Sequence, residues 1–395
     1  MPVATVSPDF NNTELAFKAK SQARLLRTYW IYKLIDNPFL TKVGPPMLSA
    51  ALRMGLPVQG LVRDTLFEVF CGGESLPETA ATSRYLHAYG VKTILDYSVE
   101  GEKNEAGFDA TCQEIEATLL HGGQMDEVAF SACKLTGLAS FDLMEKMQRG
   151  EALSPDEQVS LDRVRARLDR LASTAAAQRT PLFIDAEESW IQDTIDMLAE
   201  EVMARYNTQF PCVYTTVQLY RHDRLAYLEN LIRRSREQGY ILGVKLVRGA
   251  YLERENDRAA QLGYPTPMQP DKDSTDRDYD AALRLCVEHI DHVAICAGTH
   301  NEASSLYLTQ LMADRGLPPD HPHVWFAQLL GMSDHISFNL AHHGYQAAKY
   351  LPYGPVKAVM PYLIRRANEN TSIAGQSSRE MELLSRELRR RQRTR

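Results

Sequence analysis

The chain has 395 residues, 44% of them hydrophobic, which suffices for a large core in one barrel-sized unit or in two to three domains. A formal net charge of −7 excludes a general positive field of the kind that attracts nucleic acid or anionic lipid. Six widely spaced cysteines without a CxxC pair exclude a disulfide scaffold and favour a reducing compartment. Since residues 1–12 lack the features of a signal peptide and no run reaches the ~18 apolar residues of a membrane span, we expect a soluble, cytoplasmic protein.

The first part of the chain reads as helical. Apolar residues at Ala16, Leu25 and Leu26 lead into the aromatic run 29–32 (YWIY), and a Gly-Gly pair at 72–73 interrupts the pattern. We therefore expect residues 1–90 to form a helical region packed on a larger unit formed by residues 91–395.

From residue 92 onward, short apolar and β-branched runs alternate with stretches long enough for a helix. Near-continuous apolar strands of this kind are typical of a parallel sheet covered on both faces, and eight of them predict an α/β protein with a (β/α)8 barrel. Residues 140–180 are polar and helix-forming, and we expect a helical insertion there. The eight predicted strands are Lys92–Val99, Val128–Leu138, Pro181–Glu187, Val213–Tyr220, Gly243–Tyr251, Val293–His300, Val324–Leu330 and Ala348–Tyr353.

Polar residues collect where these strands end, which is where barrel enzymes place their active sites. A lysine within an apolar strand is costly to bury, so Lys134 and Lys245, with Asp185 as a partner, predict a charged pocket. The alternative is an internal ion pair that only supports the barrel. Other polar residues at the strand ends are Thr136, Glu187, Gln218, Arg248, Thr299, His300 and Asn301.

The helix predicted over residues 355–370 concentrates charge on one face. At about 100° per residue, Tyr362, Arg365, Arg366 and Glu369 lie within a narrow sector. Two guanidinium groups beside an aromatic ring and a carboxylate form a clamp for a small carboxylate. An exposed helix with an ordinary i,i+4 ion pair between Arg365 and Glu369 explains the same pattern, and the two readings stay open.

The remaining sequence patterns mainly exclude kinds of binding site. The histidines lack the spacing of metal ligands, and there is no Gly-rich loop of the P-loop or dinucleotide type. The basic run 387–395 favours a solvated helix end, with peripheral membrane contact as the alternative.

Several of these stretches, in this order, resemble the proline dehydrogenases. The resemblance extends over residues 90–375 and is strongest in KLVRGAY (245–251) and YLIRRANEN (362–370). Shorter matches are LLGM (329–332), THNE (299–302) and DAE (185–187). Because the chain continues only briefly after the clamp helix, it is most similar to the form that lacks a fused aldehyde dehydrogenase.

The resemblance implies a distorted barrel whose final helix lies over the mouth and closes on the substrate. Arg365 and Arg366 would bind the proline carboxylate, with Glu369 as their neighbour. Lys134, near Asp185, would complete the carboxylate site. The pyrrolidine ring would be walled by Leu329, Tyr350 and Tyr362.

The resemblance also implies a non-covalent FAD. Lys245 would hydrogen-bond the flavin near its reactive nitrogen, where the fused bacterial enzymes carry an arginine, and Gln218 would bind the pyrimidine edge. The remaining cofactor contacts would come from Ala186, Arg248, Gly249, Lys272, Thr299, His300 and Asn301.

The activity implied is oxidation of L-proline to 1-pyrroline-5-carboxylate, with electrons passed to a quinone. Tyr350 favours proline over hydroxyproline, because relatives that prefer hydroxyproline carry a smaller residue at the matching position. Hydroxyproline dehydrogenase remains an alternative. So do a Schiff-base lyase that uses Lys134 or Lys245 as nucleophile and a non-catalytic amino-acid binding protein.

Overall fold

A computed structural model describes residues 7–35, 60, 63–98, 102–360, 362–363, 365 and 376–393. These residues divide into two compact units. Apart from the gaps just given, the first comprises residues 94–97 and 102–327, and the second comprises residues 7–93, 98 and 328–393.

Eight strands form a closed barrel in chain order, which confirms the predicted fold. The pairs from β2 to β7 are parallel, as expected for strands joined by helical crossovers. Nearly every strand residue is buried, because helices cover the sheet on its outer face. The strands are β1 Val91–Tyr97, β2 Val128–Cys133, β3 Leu182–Ile184, β4 Val213–Gln218, β5 Leu242–Val247, β6 Val293–Gly298, β7 Val324–Leu329 and β8 Ala347–Tyr353.

Several strands are shorter at their carboxyl ends than the sequence predicts. β2 ends at Cys133 rather than at residue 138, because Leu135 and Leu138 are buried in and beside a short 3-10 turn, Leu135–Gly137. Their apolar character reflects burial under the loop, and it does not indicate continued strand pairing. Lys134 therefore begins a turn at the barrel rim.

The helices of the first unit lie between consecutive strands. Local capping explains where some of them begin: Ser154 and Glu157 form a capping box, with hydrogen bonds of 3.2 and 2.7 Å between each side chain and the other's backbone N–H. These helices are Glu105–Gly122, Phe141–Gln148, Pro155–Gln178, Ser189–Tyr206, Arg224–Gln238, Leu252–Leu262, Lys272–Glu288 and Glu302–Asp314.

The second unit contains β8 and the helices nearest the two ends of the described chain. Residues 356–360, 362–363 and 365 are also helical. Its other helices are Thr13–Ala16, Gln22–Ile35, Glu68–Phe70 after a π-helical turn at Arg63–Phe67, Leu76–His87, Asp334–His342 and Gln376–Arg393.

Aromatic side chains fill the barrel beneath its rim. Phe130 of β2 stacks on Phe183 of β3 with ring centroids 4.3 Å apart, and Tyr214 of β4 meets both rings edge-on. Phe130 also contacts Trp325 of β7, with centroids 5.2 Å apart, so these rings meet across the interior. The barrel is a packed core, and chemistry is confined to the strand ends above it.

Candidate active site

A largely buried ion pair lies at the rim of the first unit. Lys245 is paired across the sheet with Thr216 of β4 and Cys296 of β6, and its ammonium group binds the Asp185 carboxylate, which directly follows β3. The same ammonium lies 5.1 Å from the centroid of the Phe183 ring. The pair predicted between a strand lysine and Asp185 is thus formed by Lys245, and a fixed positive charge stands above the aromatic core.

Glu187, two residues after Asp185, is buried although it is a carboxylic acid. Its carboxylate accepts hydrogen bonds from Thr136 N at 3.0 Å and from Thr136 Oγ1 at 2.5 Å. Burial raises the pKa of Glu187 to about 7, and the nearby Lys134 ammonium opposes that rise. The turn that carries Lys134 is thereby attached to the segment that follows β3.

Gln218 ends β4 and is buried. Its Nε2 donates to the Glu187 carbonyl oxygen at 2.9 Å, whereas its Oε1 has no hydrogen-bond partner among the described residues. A buried amide oxygen in this condition is costly, and a ligand N–H would satisfy it.

Arg248 lies just after β5 and is fixed by three hydrogen bonds. Nε donates to Asp276 at 2.6 Å, Nη1 to Thr299 Oγ1 at 2.7 Å and Nη2 to Ser304 Oγ at 2.9 Å. The guanidinium carbon also lies 4.3 Å from the centroid of the Tyr279 ring. The structure thus brings Arg248 and Thr299 together, as predicted for neighbours at one ligand.

Lys272 lies beside this cluster. It begins the helix Lys272–Glu288, and its ammonium binds the second oxygen of Asp276. Because its side chain is 61% exposed, Lys272 can reach a ligand that approaches Arg248 from solvent.

Gly249 has a backbone conformation that other residues rarely adopt. Its φ is +139°, and a Cβ at this position would lie 2.5 Å from ring atoms of Tyr220. Glycine is therefore required here, and it leaves the backbone accessible beside Arg248.

The remaining predicted cofactor residues have defined places. Asn301 caps the helix Glu302–Asp314 by accepting from Ser304 N at 3.1 Å, so its side chain is used within the protein. Thr299 is buried, while Ala186 and His300 are partly buried at the strand ends.

The residues predicted to wall the substrate lie in the second unit. Leu329, at the end of β7, packs against a buried apolar cluster that contains Tyr362 and Met360. Tyr350 of β8 is buried, and its carbonyl accepts from Leu330 N at 2.9 Å.

The predicted clamp is partly described. Tyr362 is buried and Arg365 is half-buried, so at these two positions the helix does not face solvent freely. Arg366 and Glu369 lie outside the described residues, and their part in a clamp stays a prediction.

The 329–334 loop, which carries Leu329, is held by charges that the sequence reading did not find. Lys349 of β8 is fully buried, lies 2.9 Å from Asp334 and donates to the Met332 carbonyl. Lys20 binds the other Asp334 oxygen at 2.9 Å. Although burial alone would raise it, these two ammonium groups hold the pKa of Asp334 well below its ordinary value.

The same loop is also anchored through its backbone. Ser333 is left-handed with φ +49°, and its N–H donates to the buried carboxylate of Glu380. Gly331, at φ +78°, accepts from the Tyr32 hydroxyl at 2.8 Å. The LLGM motif indicates this loop in the sequence. The residues that anchor the loop come from distant segments, and no sequence pattern connects them to the motif.

The geometry suits an uncharged or anionic organic ligand at the barrel rim. Among the described residues, no group of three or more His, Cys, Asp or Glu side chains is arranged to hold a metal ion. What the rim offers is a fixed ammonium (Lys245), an amide acceptor (Gln218) and a fixed guanidinium beside accessible backbone (Arg248 and Gly249).

The sequence matches known proteins over most of its length. The family model described as proline dehydrogenase matches residues 79–379. The chain is 29% identical to proline dehydrogenase 1, mitochondrial, of Dictyostelium discoideum over 96% of its own length and 74% of that protein. It is 32% identical to hydroxyproline dehydrogenase of Bos taurus over 95% of its own length and 92% of that protein.

A solved structure of proline utilization A (PutA) from Bdellovibrio bacteriovorus has the same fold. The TM-score is 0.71 at 19% identity, over 95% of this chain. This chain spans 38% of that protein, little more than a third of its length. Because the family model covers well over half of the sequence, the chain belongs to the proline dehydrogenase family.

Proposed function

We propose that this oxidoreductase converts L-proline to 1-pyrroline-5-carboxylate with a non-covalent FAD. The observation that carries the proposal is the largely buried Lys245–Asp185 pair, on and just after the strands that flank the one with the unsatisfied Gln218 oxygen. An ammonium and an amide acceptor on neighbouring strands suit a heteroaromatic ring that carries both hydrogen-bond acceptors and an N–H donor.

The residues at the rim fit FAD. Gln218 would accept from the N–H of the pyrimidine edge, since its Oε1 has no partner among the described residues. Gly249 would let the backbone approach the phosphates, beside the Arg248 guanidinium. Supporting contacts would come from Ala186, Lys272, Thr299, His300 and Asn301. When bound, FAD supplies the hydride acceptor that protein side chains lack.

The protein's own task is to bind, orient and shield the substrate. Arg365 and Arg366, with Lys134, would hold the proline carboxylate by charge-assisted hydrogen bonds, and Glu369 would hold the arginines. Leu329, Tyr350 and Tyr362 would wall the ring and exclude water. Lys245 supplies fixed positive charge close to the reacting atoms, and Asp185 keeps that charge in place.

Proline is the ring we favour over hydroxyproline. Tyr350 is buried on β8, and if it walls the substrate ring, its bulk would crowd a ring hydroxyl. Hydroxyproline dehydrogenases are also among the relatives, at 31–32% identity, and that substrate is the second candidate. The ratio of kcat/KM for the two amino acids separates them.

The lyase alternative receives less support. A Schiff-base nucleophile must be a neutral amine, and Lys245 is held in an ion pair with Asp185. The binding-protein alternative gives no task to the rim residues that fit a cofactor, Gln218 and Lys245 among them.

For the electron acceptor we propose a quinone reached by peripheral contact with a membrane. No helix in the described part of the chain is long and apolar enough to cross a bilayer. The helix Gln22–Ile35 exposes Leu26, Trp30 and Leu34 at i, i+4 and i+8, and Lys33 lies over the Trp30 ring. An apolar ridge with cationic neighbours supports contact with an anionic bilayer.

The basic run 387–395 contributes less to such a contact than its composition indicates. Arg390 and Arg391 both bind the buried Glu387 carboxylate, and Arg391 also donates to the carbonyls of Phe17 and Lys20 at 2.8 Å. These two arginines therefore attach the helix to the rest of the second unit.

The test of the proposed function is the visible spectrum of the FAD-loaded protein before and after anaerobic addition of L-proline. We expect flavin absorbance that bleaches with proline. Bleaching with hydroxyproline but not with proline would move the assignment to the second candidate. Failure to bind FAD would refute the redox assignment.

A further inference from the structure

Glu187 is a buried carboxylic acid to which the proposed function gives no task. It is 4% exposed and lies between β3 and the helix Ser189–Tyr206. Burying a carboxyl group is unfavourable unless strong hydrogen bonds compensate, so its contacts indicate what the residue does.

The side chain of Glu187 holds the turn after β2. Both of its oxygens are bound by one residue, Thr136, through the backbone N–H at 3.0 Å and the hydroxyl at 2.5 Å. A two-point attachment fixes the orientation of the turn as well as its distance. Lys134 stands at the start of that turn, and its ammonium group is close enough to Glu187 to oppose the rise that burial causes in the pKa of the carboxyl.

The backbone of Glu187 holds the end of β4. Its carbonyl oxygen accepts from Gln218 Nε2 at 2.9 Å. This bond fixes the orientation of the Gln218 amide, so that its Oε1 is the atom available to a ligand. Its N–H donates to Gln192 Oε1 at 2.8 Å.

Gln192 connects this residue to the outer layer of helices. Its Nε2 donates to Asp196 Oδ1 at 2.8 Å, and the other Asp196 oxygen accepts from Arg224 Nη2 at 2.6 Å. Asp196 and Arg224 are both buried, so the chain of bonds from Glu187 ends in an ion pair shielded from water. The helices outside the barrel thus fix Glu187, and Glu187 in turn fixes the turn after β2 and the end of β4 at the rim.

We infer that Glu187 is a positioning residue that orders the carboxylate-binding side and the cofactor side of the site together. Its carboxylate orders the turn that carries Lys134, and its carbonyl orients Gln218. The inference rests on the proposed function, which gives Lys134 and Gln218 their tasks. It adds a residue that touches neither substrate nor cofactor.

The experiment compares variants that break only the side-chain half of this arrangement. Glu187→Gln removes the charge at nearly constant shape, and Thr136→Val removes the hydroxyl donor. Thr136→Ser changes the same residue but keeps the hydroxyl donor. Glu188→Gln is the matched control, because Glu188 is equally buried but its carboxylate binds Arg254.

Three quantities are measured on each variant. The first is the Kd of the FAD-loaded enzyme for tetrahydrofuran-2-carboxylate, in which an ether oxygen replaces the proline nitrogen. The second is the separate values of KM and kcat for L-proline. The third is the Kd of the apoprotein for FAD.

We expect Glu187→Gln and Thr136→Val each to raise the analogue Kd and the proline KM about tenfold, because either change weakens the two-point attachment of the turn that carries Lys134. We expect kcat and the FAD Kd to change less than about threefold. The double variant should be no worse than either single variant, since both break the same contact. Thr136→Ser and Glu188→Gln should resemble the wild type.

The inference is overturned if Glu187→Gln leaves the analogue Kd unchanged, if Glu188→Gln raises it equally, or if the two substitutions multiply in the double variant. Reduction of the wild-type flavin by L-proline tests the proposed function itself. The analogue Kd is measured without turnover, so the inference about Glu187 and the proposed function can fail independently of each other.

Discussion

Removing Asp185 tests whether the Lys245 ion pair serves catalysis or only supports the barrel. The side chains of Lys245 and Asp185 are 8% and 15% exposed, so Asp185→Ala leaves an ammonium group largely shielded from water. Removing one partner of a buried pair costs roughly 3–5 kcal/mol. We expect the lower end, about 3 kcal/mol, because the Phe183 ring beneath the ammonium still attracts it.

The corresponding change in melting temperature is modest in a chain of this length. The unfolding entropy is about 2.1 cal/mol/K per residue, or about 0.8 kcal/mol/K for the whole chain, so Tm should fall by about 4 °C. Adding Lys245→Met should restore at least half of that loss, because the uncompensated charge is then gone. In the double variant, reduction of the flavin by L-proline should be at least about 100-fold slower than in the wild type, because the positive charge is missing.

The assay is thermal unfolding of the apoprotein combined with stopped-flow reduction of the FAD-loaded enzyme. Asp169→Ala is the control for a lost ion pair, because Asp169 and its partner Arg205 are 41% and 50% exposed; its Tm should change by less than about 1 °C. The reasoning is refuted if the double variant is no more stable than Asp185→Ala. Wild-type reduction rates in the double variant would show that the pair only supports the barrel.

Three further outcomes are expected. Arg365→Met or Arg366→Met should raise the KM for proline at least about tenfold with flavin retained, as steady-state kinetics and flavin content would show; an unchanged KM removes the clamp. Tyr350→Ser should shift the kcat/KM ratio about tenfold toward hydroxyproline, and an unchanged ratio removes the reason for favouring proline. Because the pKa of Glu187 is raised from 4.5 to about 7, its neutral form stabilises the fold fully below pH 4.5, and that stability is lost as pH rises through 7. The Tm of Glu187→Gln relative to wild type should therefore increase from pH 5 to pH 8, and a constant difference would contradict the assigned pKa.

The barrel could be predicted because its strands leave a local signal. Apolar, β-branched runs recur at intervals that leave room for a helix, and each of the eight predicted runs overlaps a strand. The strand ends could not be placed as well. Side chains such as Leu135 are apolar because they are buried under a loop, and periodicity does not distinguish that burial from strand pairing.

The candidate site could be predicted in part for a related reason. In a parallel barrel, position in the sequence places a residue at the rim, so Lys245, Gln218 and Arg248 were found from the strand pattern alone. Which carboxylate binds which cation depends on side-chain geometry between strands. The contacts of Glu187 and Lys349 therefore became visible only in the structure.

The buried charges around the 329–334 loop have a consequence for how the protein folds. Lys20 and Lys349 pair with Asp334, and Glu380, from another distant segment, accepts from the Ser333 N–H. Asp334, Lys349 and Glu380 are buried, and none of them is favourably buried until these partners arrive. The Tyr32–Gly331 hydrogen bond likewise closes a separation of 299 residues. Contacts of such high sequence separation form slowly, because the loop-closure entropy is lost before the contacts compensate for it. The loop that carries Leu329 should accordingly acquire its native shape among the last parts of the second unit, once its early segments and its late segments in the sequence have met.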